Sequence, residues 1–138
     1  MKFSVKAKST SKQAVKHVLW VGLSAGLLVM RLAHADQTAL NHGADVFDEE
    51  CAECHSIKEG KNKKGPSLFS VVGRNAGTVA EYNYSDALKA GGFAWNNDKI
   101  DAYITHPKAA VPGGKMKYDG LNDAKSRADL IEFLSSQH

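Results

Sequence analysis

Cysteine is scarce in this chain: two residues in 138, both within one five-residue stretch. A framework of several disulfides is thereby excluded, because the one bridge the chain could close on itself would join Cys51 to Cys54. No segment alternates apolar and polar residues as a half-buried strand does, so neither a hairpin nor a βαβ unit is expected. Internal repeats and low-complexity tracts are also missing, which sets aside solenoids and flexible linkers. Large apolar side chains are few over residues 36–138, and a buried apolar group from outside the chain would supply the missing mass.

A membrane-spanning run is missing too. The sustained apolar stretch Val18 to Met30 is shorter than the roughly 20 residues a spanning helix needs. It follows Lys2, Lys6, Lys8, Lys12 and Lys16 and precedes Ala33-His34-Ala35, a small-x-small cleavage site. Residues 1–35 are therefore expected to be a secretory signal peptide cleaved after Ala35, with an uncleaved membrane anchor as the alternative. Residues 36–138 are expected to form a single domain in the periplasm. Cleavage reverses the charge balance. Of 18 basic residues, the segment removes the five lysines and Arg31 but none of the 15 acidic ones, so a formal +3 becomes −3. The basic isoelectric point of the whole chain thus gives no support to nucleic-acid binding.

What the chain does carry is Cys51-Ala52-Glu53-Cys54-His55. This spacing reads as the attachment site of a c-type haem, with two thioethers to the haem vinyl groups and an imidazole on one axial face of the iron. On a helix, Cys51 and Cys54 lie one turn apart on one face with His55 next, so a short segment holds ring edge and metal together. Met1 and Met30 leave with the signal, so Met116 is the remaining thioether for the second axial face, in a Gly/Pro-rich loop. His42, His106 and His138 are the other candidates. Three competing chemistries remain. A peroxidase or gas sensor would need an open coordination position. A thiol–disulfide enzyme would need a βαβ pattern, and structural zinc would need four ligands in tighter pairs than these histidines offer.

The expected class is all-α. Thr38 to Cys54 reads as a first helix with Gly43, Phe47, Glu50, Cys51 and Cys54 on one side and Asp45, Asp48, Glu49 and Glu53 open to water. Gly43 costs ~1 kcal/mol against alanine there, which suggests a close crossing by another helix. Ser56 to Gly77 reads as loops, Ser85 to Ala90 as one or two turns stopped by Gly91-Gly92, and Lys108 to Gly120 as irregular. Asn96 or Asn97 caps a helix that ends before Pro107. Asn122 or Asp123 caps a last helix running to about Ser135.

Three further runs accompany the attachment motif: Gly65-Pro66-Ser67-Leu68, Tyr82-Asn83-Tyr84-Ser85-Asp86-Ala87 and Pro112-Gly113-Gly114-Lys115-Met116. With them the chain resembles the class I cytochromes c, of the mitochondrial-like and bacterial cytochrome c2 group, over nearly all of residues 36–138. The resemblance implies N- and C-terminal helices that cross, with short helices and loops wrapped around one covalent haem c. It implies that the Pro66 carbonyl accepts a hydrogen bond from His55, and that Arg74, Tyr84 and Trp95 hydrogen-bond a haem propionate. It also implies that the Tyr103 hydroxyl approaches the Met116 sulfur and that Gly43 and Phe47 meet Leu130 and Phe133. Tyr118 replaces a common phenylalanine that shields the haem edge. Three departures stand out: Gly114 for threonine, Leu88 for asparagine, and one residue fewer between His55 and Pro66. Lys63, Lys64, Lys108, Lys115 and Lys117 would surround the exposed haem edge, opposite an acidic first helix, and steer an acidic redox partner. The implied protein is a monomeric one-electron carrier, not an enzyme. Its partners would be redox proteins such as a cytochrome bc1-type complex, a terminal oxidase, a reaction centre or a periplasmic dehydrogenase, with no role for nucleic acid.

Overall fold

Helix α1 covers residues 36–50 and buries Gly43, Val46 and Phe47 while leaving Asp45, Asp48 and Glu49 exposed, the one-sided pattern of a helix laid on a core. The structure is a computed structural model that describes residues 36–138; the expected signal segment and its cleavage site lie outside the described residues. Past residue 50 the helical ladder changes. The N–H groups of Cys51 and Ala52 both donate to the Phe47 carbonyl (2.9 and 2.8 Å), and those of Cys54 and His55 both donate to the Cys51 carbonyl (3.0 and 2.8 Å). The sequence predicted a helix through Cys54. Instead, Cys51 to Cys54 form hydrogen-bonded turns beyond its end.

The last helix, α5 (Ala124–Ser135), starts where the Asp123 side chain accepts from the Ser126 N–H and buries Asp129, Leu130, Ile131 and Leu134. It crosses α1 at Gly43. An ideal Cβ there would stand 2.7 Å from the Asp129 carbonyl carbon and 2.8 Å from Phe133 Cβ, so only a residue without a side chain lets the backbones approach this far. Phe47 and Phe133 pack alongside with ring centroids 5.7 Å apart. His42 Nδ1 meets the buried Asp129 carboxylate at 2.6 Å, tying the two helices beside the crossing.

Between them lie three shorter elements. Helix α2 (Asp86–Lys89) begins at Ser85, whose hydroxyl accepts from the Leu88 N–H. Helix α3 (Asn97–Thr105) is capped by the Asn96 side chain and buries Ile100. The sequence left Lys108 onward irregular, yet a further turn, α4 (Pro107–Ala110), follows at once. Proline at its first position has its φ preset and lacks an N–H that would have had no helical partner. Helix α3 packs against both α4 and α5, and Arg127 on α5 reaches Asp101 on α3 with Nε 2.7 Å from the carboxylate.

No strand occurs among the described residues beyond an isolated antiparallel bridge, Asn75 to Ala94. Around it the Gly73 N–H donates to the Trp95 carbonyl (2.6 Å), the Trp95 N–H to Arg74 (2.9 Å) and the Ala76 N–H to Phe93 (2.9 Å). The core joins Val46, Phe47, Val71, Ile100, Leu130, Ile131 and Leu134. Among the described residues no helix is long and apolar enough to cross a membrane.

Candidate cofactor site

One cavity of about 350 Å³ opens in this frame, and its walls come from segments spread along the described residues: Cys51, Cys54 and His55 after α1, Gly65, Pro66 and Arg74 from the loops, Tyr84 and Leu88, Trp95, Ile100 and Tyr103, Lys115 to Tyr118, and Leu130 and Leu134 of α5. His55 and Met116, far apart in sequence, thus share one cavity with both thiols.

His55 is held from behind. Its Nδ1 lies 2.7 Å from the Pro66 carbonyl, and since a carbonyl only accepts, Nδ1 carries the proton and Nε2 keeps the lone pair. Burial pulls the imidazole pKa below its ordinary value, the Pro66 bond opposes that shift, and nearby Lys63 adds to it. The ring therefore stays neutral at physiological pH. Gly65 packs flat against it: a Cβ on that residue would lie 2.7 Å from Nδ1. The one-residue shortening before Pro66 has not disturbed this contact.

The two thiols are free and half-buried. Burial first, then the charges of Glu50 and Cys54, push the Cys51 thiol up to about 12. This is the opposite of the shift that makes a thiol reactive near neutral pH. Among the described residues no three His, Cys, Asp or Glu side chains cluster as a metal-binding group.

Arg74, Tyr84, Trp95 and Tyr103 all line the cavity. The bridge between residues 75 and 94 is what sets Arg74 beside Trp95. Arg74 is anchored through Nη1 to the Phe69 carbonyl (2.6 Å) and through Nη2 to the Ser67 carbonyl (2.8 Å), contacts the sequence did not reveal. Burial lowers its pKa, and the neighbouring Tyr84 opposes that shift. Trp95 stacks edge-on to Phe93 at 4.9 Å and leans on Tyr103 at 5.0 Å. Leu88 lines the cavity as well, placing an apolar side chain where the resemblance implied an amide. Gly114 donates its N–H to the Val111 carbonyl.

The lysines divide. Lys64, Lys115 and Lys117 line the cavity, whereas Lys63 and Lys108 lie outside its lining. Lys64 pairs with Glu53, Lys63 donates to the Ala52 carbonyl, and Lys108 stands 3.7 Å from the exposed Asp119 carboxylate. Lys115 turns its ammonium onto the carbonyls of Asn83 (3.1 Å) and Tyr84 (3.3 Å). Sequence reasoning missed the role of Glu50, which lines the cavity and accepts a 2.8 Å hydrogen bond from the Tyr118 hydroxyl. Burial and the adjacent carboxylate raise the Tyr118 phenol well above its ordinary value, so it remains a donor. Its place directly before Cys51 was the available signal.

These residues fit a covalent haem: two sulfurs, a lone-pair imidazole nitrogen and a thioether converge on a mostly apolar hollow with Arg, Tyr and Trp donors in its wall. The comparisons agree. The sequence model of the family described as cytochrome c matches residues 40–138. Cytochrome c of Cochliobolus lunatus is 44% identical over 103 residues, which is 74% of this chain and 95% of that protein. Cytochrome c2 of Rhodopila globiformis is 45% identical over 94 residues, 68% of this chain and 89% of that one. Among solved structures, cytochrome cH from Methylobacterium extorquens superposes with a TM-score of 0.64 at 38% identity, covering 68% of this chain and 94% of its own.

Proposed function

This chain belongs to the cytochrome c family and is a haem-based electron carrier; within that family we propose that it is a non-enzymatic carrier of the periplasm, with haem c attached at Cys51 and Cys54 and axially held by His55 and Met116. The observation that supports this reading most is the single cavity in which both thiols, the Pro66-oriented imidazole and Met116 meet. When bound, the haem supplies an iron that takes up and releases one electron. The protein's part is to hold the ligands still. Pro66 fixes the imidazole tautomer and raises its basicity, and Met116 favours a higher reduction potential than a second imidazole would. Arg74, Tyr84 and Trp95 would offer charge-assisted donors to the propionates, and burial would keep water from the iron.

Residues 1–35 read as a cleaved signal and support export; N-terminal sequencing of the purified protein should begin at Asp36. Lys64, Lys115 and Lys117 at the cavity, with Lys63 and Lys108 nearby in sequence, support brief docking to a redox partner through a small polar interface. A cytochrome bc1-type complex, a terminal oxidase, a reaction centre or a periplasmic dehydrogenase has the matching role. The test is the optical spectrum of the oxidised holoprotein. Covalent haem with the weak long-wavelength sulfur-to-iron charge-transfer band supports the reading. Haem without that band would move the assignment to a nitrogen-ligated or open iron.

A further inference from the structure

The loop that carries Met116 has little holding it in place. Among the described residues, none of the backbone N–H groups of residues 115–120 donates to a backbone carbonyl. The Lys108–Asp119 pair is exposed on both sides (77% and 101%), and such pairs contribute little. Two side-chain bonds bracket the methionine. On one flank Lys115 reaches back to the carbonyls of Asn83 and Tyr84. On the other, the Tyr118 hydroxyl donates to Glu50 Oε2 at 2.8 Å. That second bond joins the methionine loop to the residue directly before Cys51, so both ends of the span it ties are fixed by the site itself.

We infer that Glu50 and Tyr118 form a latch that holds the methionine loop closed, making both of them positioning residues for Met116. The inference rests on the axial reading of Met116 given above. A phenol-to-carboxylate bond is charge-assisted; here it joins a half-buried Tyr118 to an exposed Glu50, so water competes for the carboxylate side of it. Met116 would leave a bound iron only if the loop swung out, and every such excursion would break the latch. The latch therefore sets how often an outside ligand finds the sixth position.

The experiment uses the holoprotein in its oxidised form and titrates it with imidazole, following the Soret band and the sulfur-to-iron charge-transfer band. Tyr118→Phe keeps the ring and removes the donor, and Glu50→Ala removes the acceptor. Each should raise imidazole affinity about tenfold, the effect of losing one hydrogen bond to a charged group at a partly exposed site. The double variant should bind no more tightly than either single one, since only one bond exists to lose. Glu50→Gln, whose amide oxygen still accepts, should recover most of the parent behaviour. Unchanged affinity in Tyr118→Phe, or additive effects of the two changes, would overturn the latch while leaving the axial reading intact. A parent protein that lacks the charge-transfer band would overturn the axial reading, and the latch with it.

Discussion

Gly43→Ala isolates what the crossing of α1 and α5 contributes. In most helices this substitution stabilises, by about 1 kcal/mol of helix propensity. Here the new methyl group would overlap the Asp129 carbonyl oxygen, stand 2.7 Å from its carbon and 2.8 Å from Phe133 Cβ. Two of those three atoms are backbone of a packed helix and cannot rotate away. The helices must separate instead, loosening the Phe47–Phe133 contact and the Leu130 and Ile131 packing that the crossing holds together. Overpacking of this kind costs about 3 kcal/mol or somewhat more when rigid atoms are struck. Less the propensity gain, the net loss is about 2–3 kcal/mol. For a domain of this size each kcal/mol moves the midpoint by about 4–8 °C, so thermal unfolding of the holoprotein, followed by far-UV circular dichroism, should drop by at least about 8 °C. A midpoint equal to or above that of the parent would mean that the helices do not approach at Gly43 as described.

Gly65→Ala should act on the site rather than on overall stability. Its Cβ would intrude on the His55 ring, displacing the imidazole from the Pro66 carbonyl, and the spectrum of the recovered protein should show a weakened axial field. Met116→Ala should leave the haem attached while lowering the reduction potential and admitting cyanide or imidazole readily; an unchanged potential in a voltammetric titration would refute the thioether assignment. The bond to Lys125, and after it the bond to His42, holds the Asp129 carboxyl below the usual carboxylate range. A carboxyl depressed in this way stabilises above its unfolded value of about 3.9 and ceases to do so as pH falls through the lower folded value. Asp129→Asn should therefore be less stable than the parent at about pH 7, with the gap closing as the pH falls below the ordinary carboxylate range, as measured by denaturant unfolding at each pH.

The residues that would hold a haem could be picked out because haem chemistry demands particular atoms at a fixed local spacing, and the structure brings Cys51, Cys54, His55 and Met116 to one cavity. Helix starts were legible for a similar reason: Ser85, Asn96 and Asp123 each cap through a side chain three residues from its partner. The end of α1 was misplaced because a helical period continues through Cys54 although the hydrogen bonds do not. Helix α4 was missed because Pro107 read as a terminator, and proline suits a first turn as well as it stops a last one. Contacts that join distant segments left no local mark. Arg74 on the Phe69 and Ser67 carbonyls, Lys115 on Asn83 and Tyr84, and Tyr118 on Glu50 are each set by how loops meet around the cavity. The lysines show the same limit. Their number is visible in the sequence, but which ammonium groups are already committed to neighbours is not.

The small clasp at Asn75 and Ala94 has a consequence for how the protein breathes. It pins both ends of the stretch that carries Tyr84 and α2, and α2 itself buries no residue. Such a stretch opens as a cooperative unit of its own, at a lower free energy than the crossed helices. On such an opening Arg74, Tyr84 and Trp95 should lose their mutual alignment in one event, with His55 still seated on Pro66. Amide hydrogen exchange should then find Gly73, Ala76 and Trp95 exchanging together, ahead of the buried amides of α5. The molecule would release its grip on the propionate side of the haem before it released the iron.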